Sequence, residues 1–443
     1  MRYRLTTALG FFSLLLSTHC STPAETPQPS SGGSTSGAGG TTGNGGTGAG
    51  VGGSGAGVGG TPGGSGGTVG GTPAGGESGS GGSSGTAGSS GNGGSAGNVP
   101  FDPPFILGAD ISSVQEAIDS GAEYFDTDGT KKSILDVLKN HGFNYIRLRT
   151  FVDPSAPYGY AKGTGAECAK AENYCDTAHT VEFAQQVKAA GMGLLIDFHY
   201  SDTWADPGKQ IIPEAWRSAG TIAERAALLK AYTKDVLNTL VAAGARPDMV
   251  QVGNEITPGM LIHVPDADTD CWGNGSAITT PNGMASDSNW DNLATLLKAG
   301  ISGVREVDES IKVMLHIENT KDVDGVLWWV GSARSRGVEF DVLGLSCYTA
   351  YQGQPSTWEN TFKTVAEQFP ELSFAIAEYN PERTAANQIM KNLPDGRGLG
   401  TFFWEPTLSG PWGNSMFDIE ANKYTARAGD FAEYDSLRES LGL

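Results

Sequence analysis

A (β/α)8 barrel is the fold class that three features of this 443-residue sequence predict. Eight short β-rich runs recur between residues 106 and 406. Segments of helical period lie between them, as alternating parallel strands and crossover helices require. The runs also begin apolar and end in polar or aromatic residues, which is where a barrel of this kind collects its chemistry. A doubly wound open sheet would alternate in the same way. It would carry a Gly-rich phosphate turn after the first run, however, and here Gly108 stands alone.

Two segments of different character precede the barrel. Residues 1–20, MRYRLTTALGFFSLLLSTHC, set Arg2 and Arg4 ahead of an apolar stretch from Ala8 to Leu16. That stretch is too short to span a bilayer and has the pattern of a secretory signal. Cys20 closes it and leaves two readings open, the lipid-modified cysteine of a bacterial lipoprotein or an ordinary cleaved export signal. Residues 21–100 form a Gly/Ser/Thr-rich linker whose only charges between Thr22 and Asn98 are Glu25 and Glu77. Such a composition buries too little apolar surface to offset its ordering entropy, so a disordered tether is expected. With flexible Gly-rich chain statistics its mean reach is about 45–50 Å. The catalytic fold is expected in residues 101–443.

Each barrel element has its own signal. ILGADIS (106–112) is the first strand and carries Asp110 near its end. ILDVLKNHG has helical spacing and leads to YIRLRTF (145–151), whose alternation puts Arg147, Arg149 and Phe151 on one face. TVEFAQQVKAAG precedes GLLIDFHY (193–200), where Asp197 and His199 share a face. AERAALLKAYTKDVLNTLVAAG precedes DMVQVGNE (248–255), where Gln251 shares the face of Glu255, and LATLLKAGISGVREV precedes KVMLHIE (312–318), with His316 and Glu318 at its end. The last three runs, VLGLSCY (342–348), LSFAIAEY (372–379) and GTFFWEP (400–406), end in Tyr348, in Glu378 and Tyr379, and in Trp404 and Glu405. Several helical segments stop at Gly shortly before the next strand, as a helix C-cap does.

The chain has 49 acidic and 29 basic residues, a formal net charge of −20. That balance argues against nucleic acid and against adhesion to anionic membranes, leaving a lipid on Cys20 as the one membrane link. It suits a secreted enzyme with a neutral substrate, expected to act as a monomer. Cys168, Cys175, Cys271 and Cys347 permit two disulfides in an exported chain. Cys168 with Cys175 is the local pairing, and Cys271 with Cys347 is what remains. No Cys/His cluster has metal-site spacing, and no cofactor is required.

Polar residues inside strands cost stability unless paired, so eight polar strand ends point to a site. Cleavage of a glycosidic bond needs two carboxyl groups, one protonated and one ionised. Glu255 and Glu378, on different strands, fit as acid/base and nucleophile. A separation of about 5–5.5 Å would give retention of configuration. Arg149, nearer its strand end, is read as the support that keeps Glu378 ionised, and Arg147 as structural. Asp110, Asp197, His199, Asn254, His316, Tyr348 and Trp404 complete the substrate-binding or supporting set. Trp404 is the expected sugar platform; Tyr351, Tyr379, Trp204 and Trp412 offer further flat rings.

At these residues the sequence resembles glycoside hydrolase family 53, the endo-β-1,4-galactanases of clan A. The likeness covers about residues 105–420: GADISSVQE at 108–116, ILDVLKNHGFNYIRLRTFVDP at 134–154, LLIDFHYSDTWADPGKQ at 194–210, VQVGNE at 250–255, AIAEYNP at 375–381 and FFWEP at 402–406. The seventeen-residue run from Leu194 is the most specific. The resemblance implies a TIM barrel, Glu255 as acid/base, Glu378 as nucleophile and Asn254 on the 2-hydroxyl of the reacting sugar. It further implies a polysaccharide substrate, β-1,4-galactan or type I arabinogalactan of pectin. Some bacterial members of the family hold a structural calcium near the last loops, and PTLSGPWGNSMFD (406–418) assigns no ligands to one. The sixth strand departs from the family's Ser-Tyr-Tyr-Pro and Trp-His-Gly pattern, reading LSCYTAYQG from Leu345 to Gly353, and Phe151 stands where tryptophan is common. Those wall positions leave open another β-1,4-linked polymer, a mannan or a glucan, or a non-catalytic carbohydrate-binding barrel.

Overall fold

The computed structural model describes residues 101–162, 172–270, 272–410 and 413–443. The expected signal, the tether, Cys20, Cys168, Cys271 and Trp412 lie outside these residues.

Eight parallel strands close into a barrel. They are β1 (Ile106–Asp110), β2 (Tyr145–Thr150), β3 (Gly193–Phe198), β4 (Met249–Val252), β5 (Lys312–Ile317), β6 (Val342–Cys347), β7 (Ser373–Tyr379) and β8 (Gly398–Trp404). Each pairs with its neighbours in sequence, and β1 pairs with both β2 and β8 to complete the ring. All eight strands overlap the runs read from the sequence. The helices around them include α1 (Val114–Asp119), α2 (Ile134–Asn140), α3 (Thr177–Ala189), α4 (Ile222–Ala242), α5 (Trp290–Val307), α6 (Val323–Ser335), α7 (Pro355–Gln368), α8 (Arg383–Lys391) and α9 (Ala428–Leu441). Gly142, Gly191 and Gly244, each a residue or two past a helix, have φ of 92°, 71° and 74°, the left-handed conformation of a helix stop. No described helix is long and apolar enough to cross a membrane.

The barrel interior is layered. Ile106, Tyr145, Leu195, Met249, Met314, Val342, Ala375, Ala377 and Phe402 form a closed apolar floor. Two residues further along several strands, alternation delivers a polar side chain to the same interior: Arg147 after Tyr145, Asp197 after Leu195, Gln251 after Met249, His316 after Met314. The floor excludes water from below, so the charged layer above it can be satisfied only by its own members or by a ligand from the mouth.

Two irregularities aim the carboxyl groups. In β7, Leu345 pairs with Ile376 and Ser346 with Glu378, so Ala377 is an extra residue in that strand. Ala375 and Ala377 both face the floor, and without the bulge Glu378 would point to the helix layer. After β4, Gly253 has φ 88° and Glu255 φ 44°, and this turn brings both Asn254 and Glu255 inward.

Some elements had no signal in the sequence. Glu123–Phe125, Lys131–Lys132, Phe417–Glu420 and Lys423–Ala426 form a four-stranded sheet that joins the C-terminal segment to the region after α1. Two small hairpins decorate the loop after β4, pairing 259–260 with 283–284 and 263–264 with 277–278. The cysteine pairing is corrected: Cys175 and Cys347 are both buried free thiols. Cys347 is fully enclosed by the core that surrounds the barrel, so it is no wall residue.

Candidate active site

Arg147 is the hub of the polar layer. Its Nη1 donates to Asp110 Oδ2 at 2.7 Å, its Nη2 to Asp197 Oδ2 at 2.9 Å and to Asn254 Oδ1 at 2.8 Å, and its Nε to Gln251 Oε1 at 3.2 Å. Nη2 also lies 3.0 Å from Glu378 Oε1. A guanidinium presents its donors in a fixed fork, so these neighbours are positioned together rather than one at a time. The reading of Arg149 as support for Glu378 is therefore corrected. Arg149 Nη1 donates to Glu405 Oε1 at 2.7 Å, and its guanidinium lies 4.1 Å from the ring centre of Trp204. The strand-end position of Arg149 carries it past Glu378, and Arg147, one inward step deeper, reaches it.

Glu378 is 5 % exposed. Tyr348 Oη donates to its Oε2 at 2.9 Å, while Oε1 accepts no hydrogen bond from the protein and keeps a lone pair uncommitted beside Arg147. Burial pushes Glu378 up to about 7, with Arg147 opposing and Asp110 and Asp197 adding to the rise. Burial also drives the Tyr348 hydroxyl well above its ordinary value, so it remains a donor.

Among the described residues no cation pairs with Glu255. Ser346 Oγ lies 2.7 Å from its Oε1. Burial and then the charge of Glu378 push Glu255 well above the usual carboxylate range; a hydrogen bond donated by Ser346 would oppose them, and Asp206 and Glu318 add to the rise. The two carboxyls interact strongly, and the environment separates them by sign. The one on the guanidinium ionises first, and the one without a cation keeps the proton.

The other expected residues fall around this pair. Asp110 accepts from Ser112 N at 3.0 Å and Oγ at 2.7 Å as well as from Arg147. Asp197 takes Gln251 Nε2 at 2.5 Å; burial pushes it up, but Arg147 and His199 hold it below its ordinary value. His199 Nδ1 accepts from Ala205 N at 2.9 Å, which leaves the ring hydrogen on Nε2, 3.1 Å from Asp197 and without a hydrogen bond. Asn254 Nδ2 donates to the Ala205 carbonyl at 2.9 Å and retains a second amide hydrogen. His316 is fully buried at 0 % exposure, with Nε2 2.9 Å from Ser346 Oγ. Trp404 stands within 5.9 Å of Arg147 and 6.0 Å of Trp204, forming an aromatic wall with Phe151 and Tyr160 behind Trp204. Tyr379 does not join it. It is fully buried in the helix layer, where its hydroxyl meets Tyr434 Oη at 2.7 Å.

Sequence reasoning missed Ser346 as a site residue, while Gln352 was among the altered wall positions. Ser346 lies two residues before Tyr348, so alternation along β6 was a usable signal for its inward face. Gln352 turns back into the site, where its Oε1 accepts from Tyr348 N at 3.1 Å and its side chain hydrogen-bonds Glu318. Tyr351 next to it is 53 % exposed. Among the described residues no three His, Cys, Asp or Glu side chains converge to hold a metal, so no calcium site is assigned.

The arrangement suits in-line chemistry at a carbon held between an ionised Glu378 and a protonated Glu255. The profile of glycosyl hydrolase family 53 matches residues 106–388. An uncharacterized protein in the bgaB 5′ region of Niallia circulans is 32 % identical and aligns over 72 % of this chain and 91 % of its own length. An arabinogalactan endo-β-1,4-galactanase of Thermothelomyces thermophilus is 30 % identical over 68 % of this chain and 88 % of its own. A solved fungal β-1,4-galactanase superposes with a TM-score of 0.59 at 26 % identity, covering 74 % of this chain and 98 % of that one.

Proposed function

The chain belongs to glycosyl hydrolase family 53, and from that premise we propose that it is a retaining endo-β-1,4-galactanase acting on the galactan of type I arabinogalactan in pectin. The observation that carries this reading is the unequal support of the two carboxyls. Glu378 is held by Arg147 and Tyr348 with one oxygen free to attack, and Glu255 meets no cation among the described residues. In the first step Glu378 Oε1 attacks the anomeric carbon while Glu255 gives its proton to the departing glycosidic oxygen. A galactosyl-enzyme ester results, with positive charge developing on the sugar between them. In the second step Glu255, now ionised, takes a proton from water as it attacks the same carbon, and Glu378 leaves. The cycle needs no cofactor. Trp404 and Trp204 offer apolar ring faces for the C–H face of the pyranose, and His199 Nε2–H and the free amide hydrogen of Asn254 offer donors to its hydroxyls.

Linear β-1,4-galactan tests this directly. Short galacto-oligosaccharides of retained anomeric configuration are expected early in the reaction. Glu378→Ala should lower kcat by more than the factor of about 10²–10⁴ expected for Glu255→Ala, and added azide should rescue Glu378→Ala, giving a glycosyl azide of inverted configuration, but not a structural variant. Activity on mannan or β-glucan with none on galactan would overturn the substrate. That second reading is motivated by Gln352 and the exposed Tyr351, which build a wall unlike the family's usual one. Residues 1–20 support export, and the lipid-anchor reading of Cys20 is tested by mass spectrometry of the mature N-terminus. An unmodified cysteine or a cleavage site beyond it would remove the anchor. A single species at monomer mass in sedimentation is expected.

A further inference from the structure

We propose that His316 and Ser346 are positioning residues that hold Glu255 in its acid form through a hydrogen-bond chain of fixed direction, starting at Arg147. The inference rests on the acid/base role of Glu255 and adds the device that maintains it.

The direction follows atom by atom. Asn254 cannot turn its amide over, because Nδ2 donates to the Ala205 carbonyl at 2.9 Å and Oδ1 accepts from Arg147 Nη2 at 2.8 Å. Oδ1 therefore faces His316 Nδ1, 2.9 Å away. Two lone pairs at that distance would repel, so Nδ1 carries the ring hydrogen. The opposite tautomer would accept from the Glu255 backbone N–H, a long contact at 3.5 Å, and from Gln251 Nε2 at 3.2 Å, an amide that already serves Asp197 at 2.5 Å and Gly253 O at 3.1 Å; neither matches the 2.9 Å contact with Asn254 Oδ1. A second ring proton is excluded by full burial close to the Arg147 guanidinium, and the imidazole is held well below its ordinary value. Nε2 is then an acceptor, and Ser346, 2.9 Å away, gives it the only hydroxyl hydrogen it has. The 2.7 Å bond between Ser346 Oγ and Glu255 Oε1 is left with one available hydrogen, that of Glu255 itself.

One guanidinium thus acts on both carboxyls with opposite sign. It touches Glu378 and favours its charge, and through Asn254, His316 and Ser346 it presents Glu255 with an acceptor that requires a proton. The groups facing Glu255 from other elements are Glu378 on β7, Glu318 after β5, Tyr348 after β6 and Asp206 in the loop after β3. Those facing His316 are Arg147 on β2, and Asp197 and His199 on and after β3. The carboxyls among them raise Glu255 whichever way the chain runs, so only removal of Ser346 reads its direction.

The sign of one shift decides the matter. Glu255 must be protonated in the free enzyme, so its ionisation sets the alkaline limb of kcat/KM. If Ser346 accepts from Glu255, Ser346→Ala lowers that limb, by about one pH unit for a tenfold loss of proton affinity, and Ser346→Thr restores it. An unchanged or raised limb overturns the proposal, since a serine donating to an ionised Glu255 would shift it upward on removal. A second measurement needs neither substrate nor a folded variant at 346. In the native protein with ¹⁵N-labelled histidine, the resonances absent from His316→Gln should show a pyrrole-type Nδ1 and a pyridine-type Nε2. The reverse pattern, or two pyrrole-type nitrogens, overturns the chain. If no galactan is cleaved, the substrate reading fails while the nitrogen spectrum still decides where the proton sits.

Discussion

At the scale of single residues, Arg147 and Arg149 separate two kinds of buried charge. Both lie on the inward face of β2 and both pair with carboxyls, yet Arg147 touches Glu378 and Arg149 touches Glu405. Removing either breaks a buried pair, which costs about 3–5 kcal/mol of stability. Retaining a shorter cation distinguishes them. Arg147→Lys loses the fork that serves Asp110, Asp197, Asn254 and Glu378 together, so kcat should fall by about 10²-fold or more with a modest loss of Tm. Arg149→Lys should keep kcat within about tenfold, the equivalent of 1.4 kcal/mol. Tyr348→Phe removes a donor to ionised Glu378. Loss of a charged hydrogen bond is worth about 1.5–3 kcal/mol, or roughly 10- to 100-fold in kcat. The sign of the pH effect is fixed as well. A carboxylate that loses a donor or a cation is harder to ionise, and Glu378 in its proposed role as nucleophile works ionised, so the acid limb of kcat/KM should move upward in Tyr348→Phe and Arg147→Lys. Glu378 already sits at about 7, so that limb should lie above the usual carboxylate range in the native enzyme. A limb moving down in either variant would contradict the assignment.

At the scale of elements, the site depends on the ends of β4 and β7, where regular strand geometry stops. A Cβ on Gly253 would lie 2.7 Å from Ile256 Cγ2, and its φ of 88° is one that other residues rarely adopt. Gly253→Ala should cost about 1–3 kcal/mol in denaturant unfolding and lower kcat far more than KM, because it moves Asn254 and Glu255 together. Equal kcat in a destabilised protein would show that the turn can be rebuilt without loss. These elements also mark what the sequence made legible. Short β-rich runs between helical segments located all eight strands and their polar ends, because an interior that is apolar below and polar above imposes a readable pattern. Strand-end position put Glu255 and Glu378 forward, and the structure brings both into the polar layer, but the pattern did not rank the two arginines, since alternation fixes a face and carries no depth. The bulge at Ala377 was equally invisible, being an extra residue in a run that still looks regular. The strands of the four-stranded sheet, two to four residues long, are too short to show any period.

At the scale of the whole molecule, closure of the ring makes distant segments interdependent. The family profile ends at residue 388, yet the barrel closes only through β8, and α9 lies later still. Phe431, Tyr434 and Leu437 of α9 are buried, and Tyr434 bonds Tyr379, the residue after Glu378. Burying three such side chains contributes about 1.5–3 kcal/mol each. The sum rivals the net stability of a typical domain, about 5–15 kcal/mol. A chain ending at Arg427 should therefore be insoluble or melt far below the full protein by circular dichroism. A soluble, fully active truncation would show that α9 is an accessory.

The polar layer described above also has a net sign. Asp110, Asp197, Glu378 and Glu405 crowd one end of the barrel with Arg147 and Arg149 as their cations, beside a protonated Glu255. Such an excess of carboxyl groups is unfavourable for the resting protein, whose charge is already −20. It becomes favourable at the moment the anomeric carbon turns cationic, because fixed negative charge beneath it needs no solvent to reorganise. The strain of assembling so many acids in one place is thus relieved only while an oxocarbenium-like sugar is present, which makes the empty barrel an electrostatic mould for the shortest-lived species in the reaction.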